Sequence, residues 1–240
     1  MIGLISALEE EIALLKENLE NERIEIFSGL EFRLGRLGEQ EVVLLRCGVG
    51  KVNAAMATQV LIDRFGVEAV IFTGLAGALV SHLNPGDVVV SSSVVQYDID
   101  LTAFGRRPGE IPDLNRMFDA DSRLVHAACD AFEATEAGRT QKSRLQVGTV
   151  ATGDTFVSDP DKIRWLQREF GAVATEMEGG AVGQVCHMNR VPFVVIRIIS
   201  DSASGGAAGE FIIFLGEAAK LSYEIIDRLI DNMAVRDTTK

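Results

Sequence analysis

Apolar and polar residues along this chain follow two rhythms that replace one another repeatedly from end to end. Runs of β-branched and aliphatic residues read as strands, and apolar residues spaced three and four apart read as helices. The pattern predicts a strand over 2–8 and a helix over 9–19, with Ile12, Leu15 and Leu19 on one face. Shorter strands are predicted over 24–27, 31–37 and 41–47, with Gly38-Glu39 as a turn. A helix over 51–65 precedes a buried strand over 69–73 and a long alternating strand over 87–96. Helix is then predicted over 122–137, strand over 145–152, helix over 161–170 and a short strand over 172–175. A helix over 179–188, a central strand over 191–200 and a helical ending over 209–233 complete the chain.

Strands alternating with helices imply the α/β class, here a three-layer α/β/α sandwich around a mixed, mostly parallel twisted sheet. No internal repeat and no linker rich in Pro, Gly and Ser divides the sequence. One domain over 1–240 is therefore expected, with a loose tail after about 233.

Composition narrows the field. Hydrophobic residues make up 47% of the chain but aromatics only 6%, so the core is expected to pack through aliphatic side chains. The formal charge of −12 argues against nonspecific binding to nucleic acid or to an anionic membrane surface. No apolar run approaches membrane-spanning length. The start, MIGLISALEEE, has neither a positive flank nor a cleavage-site pattern, and reads as a strand. Cys47, Cys129 and Cys186 are odd in number and widely spaced, which suits a reducing cytoplasm. His187 adjoins Cys186, but His82 and His126 stand in no ligand-like spacing, so no metal site is expected.

In open α/β sheets, ligands collect beyond the carboxyl ends of the strands. Five clusters fall at such ends: Glu9 to Glu11, TGLAG at 73–77, TGDTF at 152–156, Glu176 with Glu178, and Ser200-Asp201. Their convergence predicts one pocket. CGVGK at 47–51 and TGLAG permit tight turns and close approach of the main chain. Neither fits the P-loop or GxGxxG spacing, and each reads first as a plain strand-to-helix turn. Glu9 and Glu10 read as solvated first-turn acids, whereas Glu11 can point back over the strand end while Ile12 packs below. Glu178 reads equally as a dipole-stabilised carboxylate and as a site acid, and Asp201 equally as a cap and as a site acid. Arg197, inside a β-branched strand, needs a buried carboxylate or a ligand as its partner. Phe104, Phe156 and Phe211 are open to a reading as core aromatics.

These residues stand in ALEEEI at 7–12, CGVGKVNAA at 47–55, DIDLTAFG at 98–105, ATGDTFVSDP at 151–160, ATEMEGGAV at 174–182, VPFVVIRIISD at 191–201 and FIIFLGEAA at 211–219. With the motifs in this order, the chain closely resembles the bacterial 5′-methylthioadenosine/S-adenosylhomocysteine nucleosidases, of the purine nucleoside phosphorylase-like superfamily. The resemblance covers 2 to about 231 and implies hydrolysis of an N-glycosidic bond, releasing adenine and a 5-thio-substituted ribose. It implies no cofactor, and a homodimer. Glu11 resembles the base that activates water, and Asp201, supported by Ser200, the acid that protonates adenine N7. Glu178 resembles the ligand of the ribose hydroxyls, with Met177 packed on the sugar and Arg197 ordering the site. Phe156 would stack on adenine and the main chain of Val157 would read its amino edge. Leu8, Val49 and Phe211 would line the pocket for the 5′ substituent. Ala76, Gly77 and Glu176 fall among the implied substrate contacts. Leu101 is a further implied substrate contact, and Phe104 and Pro112, on an exposed loop, resemble residues that reach a neighbouring subunit's pocket.

Two departures stand out. The family usually has Ser, with a hydroxyl that helps place the attacking water, where this chain has Leu75. The segment 202–209, SASGGAAG, is unusually rich in Gly and Ala and reads as a lid before Phe211. A nucleoside phosphorylase, a 6-amino-6-deoxyfutalosine hydrolase and a non-catalytic nucleoside-binding protein remain the alternatives.

Overall fold

The sheet is organised around β5 (Ala69–Ala78), a strand buried along nearly its whole length. A computed structural model describes residues 1–201 and 207–237, with side chains for 1–201 and 216–233. One edge of β5 pairs in parallel with β1 (Ile2–Ser6) over Ala69 to Phe72. The same edge pairs with β9 (Ala172–Glu176), antiparallel, at Gly77 and Ala78. The opposite edge follows β10 (Phe193–Asp201) in parallel from Val70 to Gly77. Between its two partners on the first edge, β5 forks.

From β1 the sheet extends through β4 (Gln40–Arg46), β3 (Leu30–Leu37) and β2 (Glu20–Phe27) as an open wing. From β10 it continues through β6 (Val88–Gln96) and β8 (Leu145–Thr152) to β9, closing a circuit with β5. A short β7 (Phe118–Asp119) pairs with β6. The sheet is mixed, as expected. Its longest ladders are parallel: parallel pairs join β1–β4, β1–β5, β5–β10, β6–β8 and β8–β9, and antiparallel pairs, several of them short, join β2–β3, β3–β4, β5–β9, β6–β7 and β6–β10. The tight turns at Ser28-Gly29 and Gly38-Glu39 leave room only for hairpins, which makes the wing a meander.

Helices cover both faces. On one, α1 (Glu9–Glu17), α3 (Ser122–Glu133) and α7 (Ala207–Asp237) pack over Ile71, Ile196 and Ile198 through Ile12, Leu15, Ile225 and Leu229. On the other, α2 (Lys51–Phe65) and α6 (Gly179–Asn189) bury Ala54, Leu61, Val182 and Cys186 against Val70, Phe72 and Val195. The last of the layers is α5 (Pro160–Phe170), whose Leu166 and Phe170 cover Val95, Ala151 and Ala172.

Several predicted elements change extent. The strand expected to stop at Thr73 runs on to Ala78, because β10 keeps supplying hydrogen bonds past the glycines. TGLAG is therefore strand, not turn. The helix expected over 122–137 breaks at Thr135, whose hydroxyl donates to Phe132 O at 2.7 Å and accepts from Gly138 N at 3.1 Å. That hydroxyl caps a separate short helix, α4 (Glu136–Arg139). The final helix reaches Asp237, past the expected end at 233. No helix among the described residues is long and apolar enough to cross a membrane.

Candidate active site

A cavity of about 230 Å³ opens at the fork in β5. Leu75, Ala76 and Gly77 form its floor, and Ala7, Leu8 and Glu11 line it from the start of α1. Thr175 to Glu178 and Ser200-Asp201 reach it from the ends of β9 and β10. Splitting a sheet leaves main-chain groups along the gap that need other partners. Here a carboxylate supplies one.

That carboxylate is Glu11, in the first turn of α1 and buried. Its side chain folds back over the end of β1. Oε2 accepts from the Ser6 hydroxyl, from Ala7 N at 3.1 Å and from Leu8 N at 2.9 Å. Oε1 accepts from Leu75 N at 3.0 Å, across the fork. Leu75 thus serves through its main chain, while its side chain packs into the same cluster as Ile12 and Ile198.

Gly74, beside it, admits the charges. A Cβ there would lie 2.7 Å from Glu11 Oε1 and closer still to Arg197 Nη1, so no larger residue fits. Arg197 is only 1% exposed, with its guanidinium 4.1 Å from the Phe72 ring centroid. Its Nη2 donates to Glu176 Oε2 and lies 3.7 Å from Glu178 Oε2. The partner demanded by a buried guanidinium is therefore a pair of acids. Arg197 does not line the cavity, which corrects its expected place among the substrate contacts: it positions the acids that do.

Glu176 and Glu178 divide the work. Glu176 ends β9, and its carboxylate accepts from Thr152 Oγ1, Arg197, Glu178 N at 3.0 Å and Gly179 N at 2.7 Å. Those bonds commit it to the protein interior, although it lies at the cavity wall. Glu178, at the head of α6, accepts from Gly50 N at 2.8 Å with Oε1. Burial, reinforced by the charge of Glu176 and opposed by Arg197, pushes its carboxyl up to about 7. A buried acid raised in this way contributes stability that is intact below the ordinary value of 4.5 and is lost as pH climbs through about 7. Relative to Glu178→Gln, the unliganded wild type is expected to lose melting temperature between those two pH values. A calorimetric pH series on both proteins checks it, and parallel curves would refute it.

Asp201 closes β10. The register against β5 slips between Ile199 and Asp201, inserting Ser200 as an extra residue. Both Ser200 and Asp201 reach the cavity as a result. Ser200 Oγ lies 2.7 Å from Asp201 Oδ2 and 3.4 Å from Ala76 O, and the aspartate is 2% exposed.

The remaining wall is apolar. Phe156 is 46% exposed at the mouth, Val157 is buried behind it, and Val49, Leu8 and Met177 join them, with Thr155 beside Phe156. Leu101, Phe104 and Pro112 do not line the cavity of their own chain; they lie on the segment after β6, where Phe104 is 82% exposed. The side chain of Phe211 and the expected lid at 202–209 lie outside the residues whose side chains are described. No group of His, Cys, Asp and Glu suited to hold a metal occurs among the described residues.

Sequence reasoning missed Ser6, and it named the motifs that hold Gly50, Gly74 and Thr152 without giving those residues partners. Ser6 and Thr152 each end a strand beside a buried acid, a signal that was available. Gly50 and Gly74 were legible as places of close approach, but that Asp154, Arg197 and Glu11 are what approaches them is disclosed by no local pattern.

Such a set can do acid–base chemistry. One carboxylate faces a ring of donors, a second ends β10 beside a hydroxyl, and a third has a carboxyl raised by burial. Residues 1–231 match the family model described as the Phosphorylase superfamily. The 5'-methylthioadenosine/S-adenosylhomocysteine nucleosidase of Bacillus licheniformis is 44% identical over 230 residues, spanning 95% of this chain and 97% of its own. The crystal structure of that nucleosidase from Neisseria meningitidis, in complex with methylthio-immucillin-A, has a TM-score of 0.90 at 36% identity. It covers 96% of this chain and 98% of its own. The native structure of futalosine hydrolase of Helicobacter pylori has a TM-score of 0.89 at 33% identity, covering 96% of this chain and 97% of its own.

Proposed function

The chain belongs to the phosphorylase superfamily and, within it, to the 5′-methylthioadenosine/S-adenosylhomocysteine nucleosidase family, and we propose on that premise that it hydrolyses the N-glycosidic bond of those two nucleosides. Its products are adenine and the 5-substituted ribose, in thioadenosine salvage in a reducing cytoplasm; 5′-deoxyadenosine fits the same scheme. One observation carries the reading: Glu11, Glu178 and Asp201, from distant stretches of chain, line a single cavity.

The chemistry uses each acid differently. Asp201 delivers a proton to adenine N7, so that the base departs neutral instead of as an anion. Ser200 holds the aspartate in place. Departure leaves an oxocarbenium-like sugar, whose hydroxyls Glu178 binds. Glu11 takes a proton from the attacking water, and the donors around its carboxylate hold that carboxylate toward the sugar. Phe156 stacks on the purine and the Val157 main chain reads its edge. Leu8 and Val49 enclose the 5′ group, with Met177 against the ribose. With Leu75 in place of the family's usual Ser, water placement falls on Glu11 itself.

Phosphorolysis fits less well. Phosphate needs cations on the nucleophile's side, and Arg197, the guanidinium beside these acids, is occupied by Glu176 and Glu178. The likeness to futalosine hydrolase supports one second reading, with the same acids acting on 6-amino-6-deoxyfutalosine. Only the 5′ wall would differ, so kcat/KM for that nucleoside against methylthioadenosine separates the two. The active unit is a homodimer, in which Phe104 and Pro112 of each chain complete the neighbouring pocket; the 82% exposure of Phe104 supports this.

Incubation with methylthioadenosine, with and without phosphate, tests the proposal. Adenine and methylthioribose are expected at the same rate in both. A sugar 1-phosphate would make the protein a phosphorylase, and absence of turnover would make it a binding protein.

A further inference from the structure

Helix α2 begins without a cap of its own. Its N-cap residue is Gly50, and its first turn carries no acidic residue. An uncapped start leaves main-chain N–H groups that must find partners elsewhere. Two carboxylates from remote parts of the chain provide them. Gly50 N donates to Glu178 Oε1 at 2.8 Å, and Lys51 N donates to Asp154 Oδ1 at 2.8 Å. Gly50 has φ +98°, and a Cβ there would stand 3.2 Å from Asp154 Oδ1, so the corner favours glycine twice over.

Asp154 is itself held. Its N–H donates to Asp98 Oδ2 at 3.0 Å, and Asp98 Oδ1 takes Lys51 Nζ at 2.6 Å. The three residues therefore form a closed triangle: Lys51 meets Asp154 through its main chain and Asp98 through its ammonium. The corners come from three separate stretches: the first residue of α2, the loop after β6 and the loop after β8. The residue after Asp154 begins the wall Thr155 to Val157, and the residue before Lys51 bonds Glu178. Neither aspartate lines the cavity.

We propose that Asp154, Asp98 and Lys51 form a positioning clamp that locks the base-binding wall to the Gly50 N–H serving the sugar-binding carboxylate, so that the two halves of the site are set together. The proposal rests on the functional reading above for what each half binds. Around Glu178 the charged and titratable groups are Glu11 on α1, Cys47 after β4, Glu176 on β9 and Arg197 on β10. Gly50 N–H is the contact on Glu178 that the clamp controls. Its loss removes a donor to the anion and raises the carboxyl further.

Asp154→Ala, which removes the acceptor for Lys51 N–H, is expected to raise KM about tenfold, with kcat affected less. It also moves the titration of Glu178, followed by its side-chain carboxyl carbon resonance and assigned by its absence from Glu178→Gln, to higher pH than in the wild type. Asp154→Asn keeps an acceptor oxygen and restores both readouts. Asp98→Ala, which unties the triangle from its other side, moves them in the same direction as Asp154→Ala. A lower melting temperature with KM and titration unchanged would overturn the clamp, leaving the residues merely structural. The titration needs no turnover. If the wild type fails to release adenine, the functional reading falls, and the titration alone still decides the clamp.

Discussion

Asp201→Asn is expected to lower kcat by about 10²–10⁴ while KM changes little, because a carboxylic acid can release a proton to the leaving base and an amide cannot. The substitution is nearly isosteric. Its oxygen can still accept from Ser200, and the bulge that presents residue 201 is made by the main chain, so the melting temperature is expected to stay close to that of the wild type. Substrate contacts on the sugar and on the purine face are untouched, which is why binding survives. The effect scales with how badly the leaving group needs protonation. A nucleoside whose base departs readily without a proton should therefore lose much less rate in the variant than methylthioadenosine does. Steady-state kinetics on both substrates measures the contrast. Near-normal turnover of methylthioadenosine would remove Asp201 from the role of acid, and equal losses on both substrates would mean a distorted site.

How much of this could be read from the chain depends on how far apart the cooperating residues lie. The span of α2 matches its prediction, because its apolar positions recur at helical spacing and glycines bound it at Gly50 and Gly66. Glu11 was legible too: a carboxylate in the first turn of a helix can reach back over the strand end, and it does so. TGLAG misled for the same local reason. Small residues and glycines signal a turn only when no neighbouring strand carries the chain onward, and β10 does carry it to Gly77. Arg197 announced that it needed an acid, but not which one. That Glu176 and Glu178 together fill the need follows from β9 and β10 lying on opposite edges of β5, a fact of sheet order that no periodicity contains. The bond from Lys51 to Asp154 joins positions 103 residues apart, and nothing local to either loop foretells it. The assignment of roles to the acids came from the resemblance; the spacing of strand ends gave only their convergence.

Glu11→Gln should abolish measurable hydrolysis and also cost stability, and the two losses have separable causes. The carboxylate accepts four hydrogen bonds: three at Oε2, from Ser6, Ala7 and Leu8, and one at Oε1, from Leu75. A glutamine has one acceptor oxygen. Its best placement turns that oxygen toward the three donors on the α1 side and leaves its NH₂ facing the N–H of Leu75. A buried donor then meets another donor, at a cost of about 1–3 kcal/mol. The Leu75 N–H lies where β5 has left β1 and not yet met β9, so the sheet offers it no replacement. The variant should consequently melt lower than wild type. Loss of catalysis has a different origin, since an amide cannot take a proton from water at neutral pH. Glu11→Asp separates the effects: it keeps the charge but shortens the side chain, so part of the activity should return while the bond to Leu75 stays broken. Burst and steady-state assays with methylthioadenosine, alongside thermal melts, read both consequences. A glutamine variant that melts lower yet turns over normally would move the base to another residue; one that melts like the wild type would contradict the role of Glu11 in spanning the fork of β5.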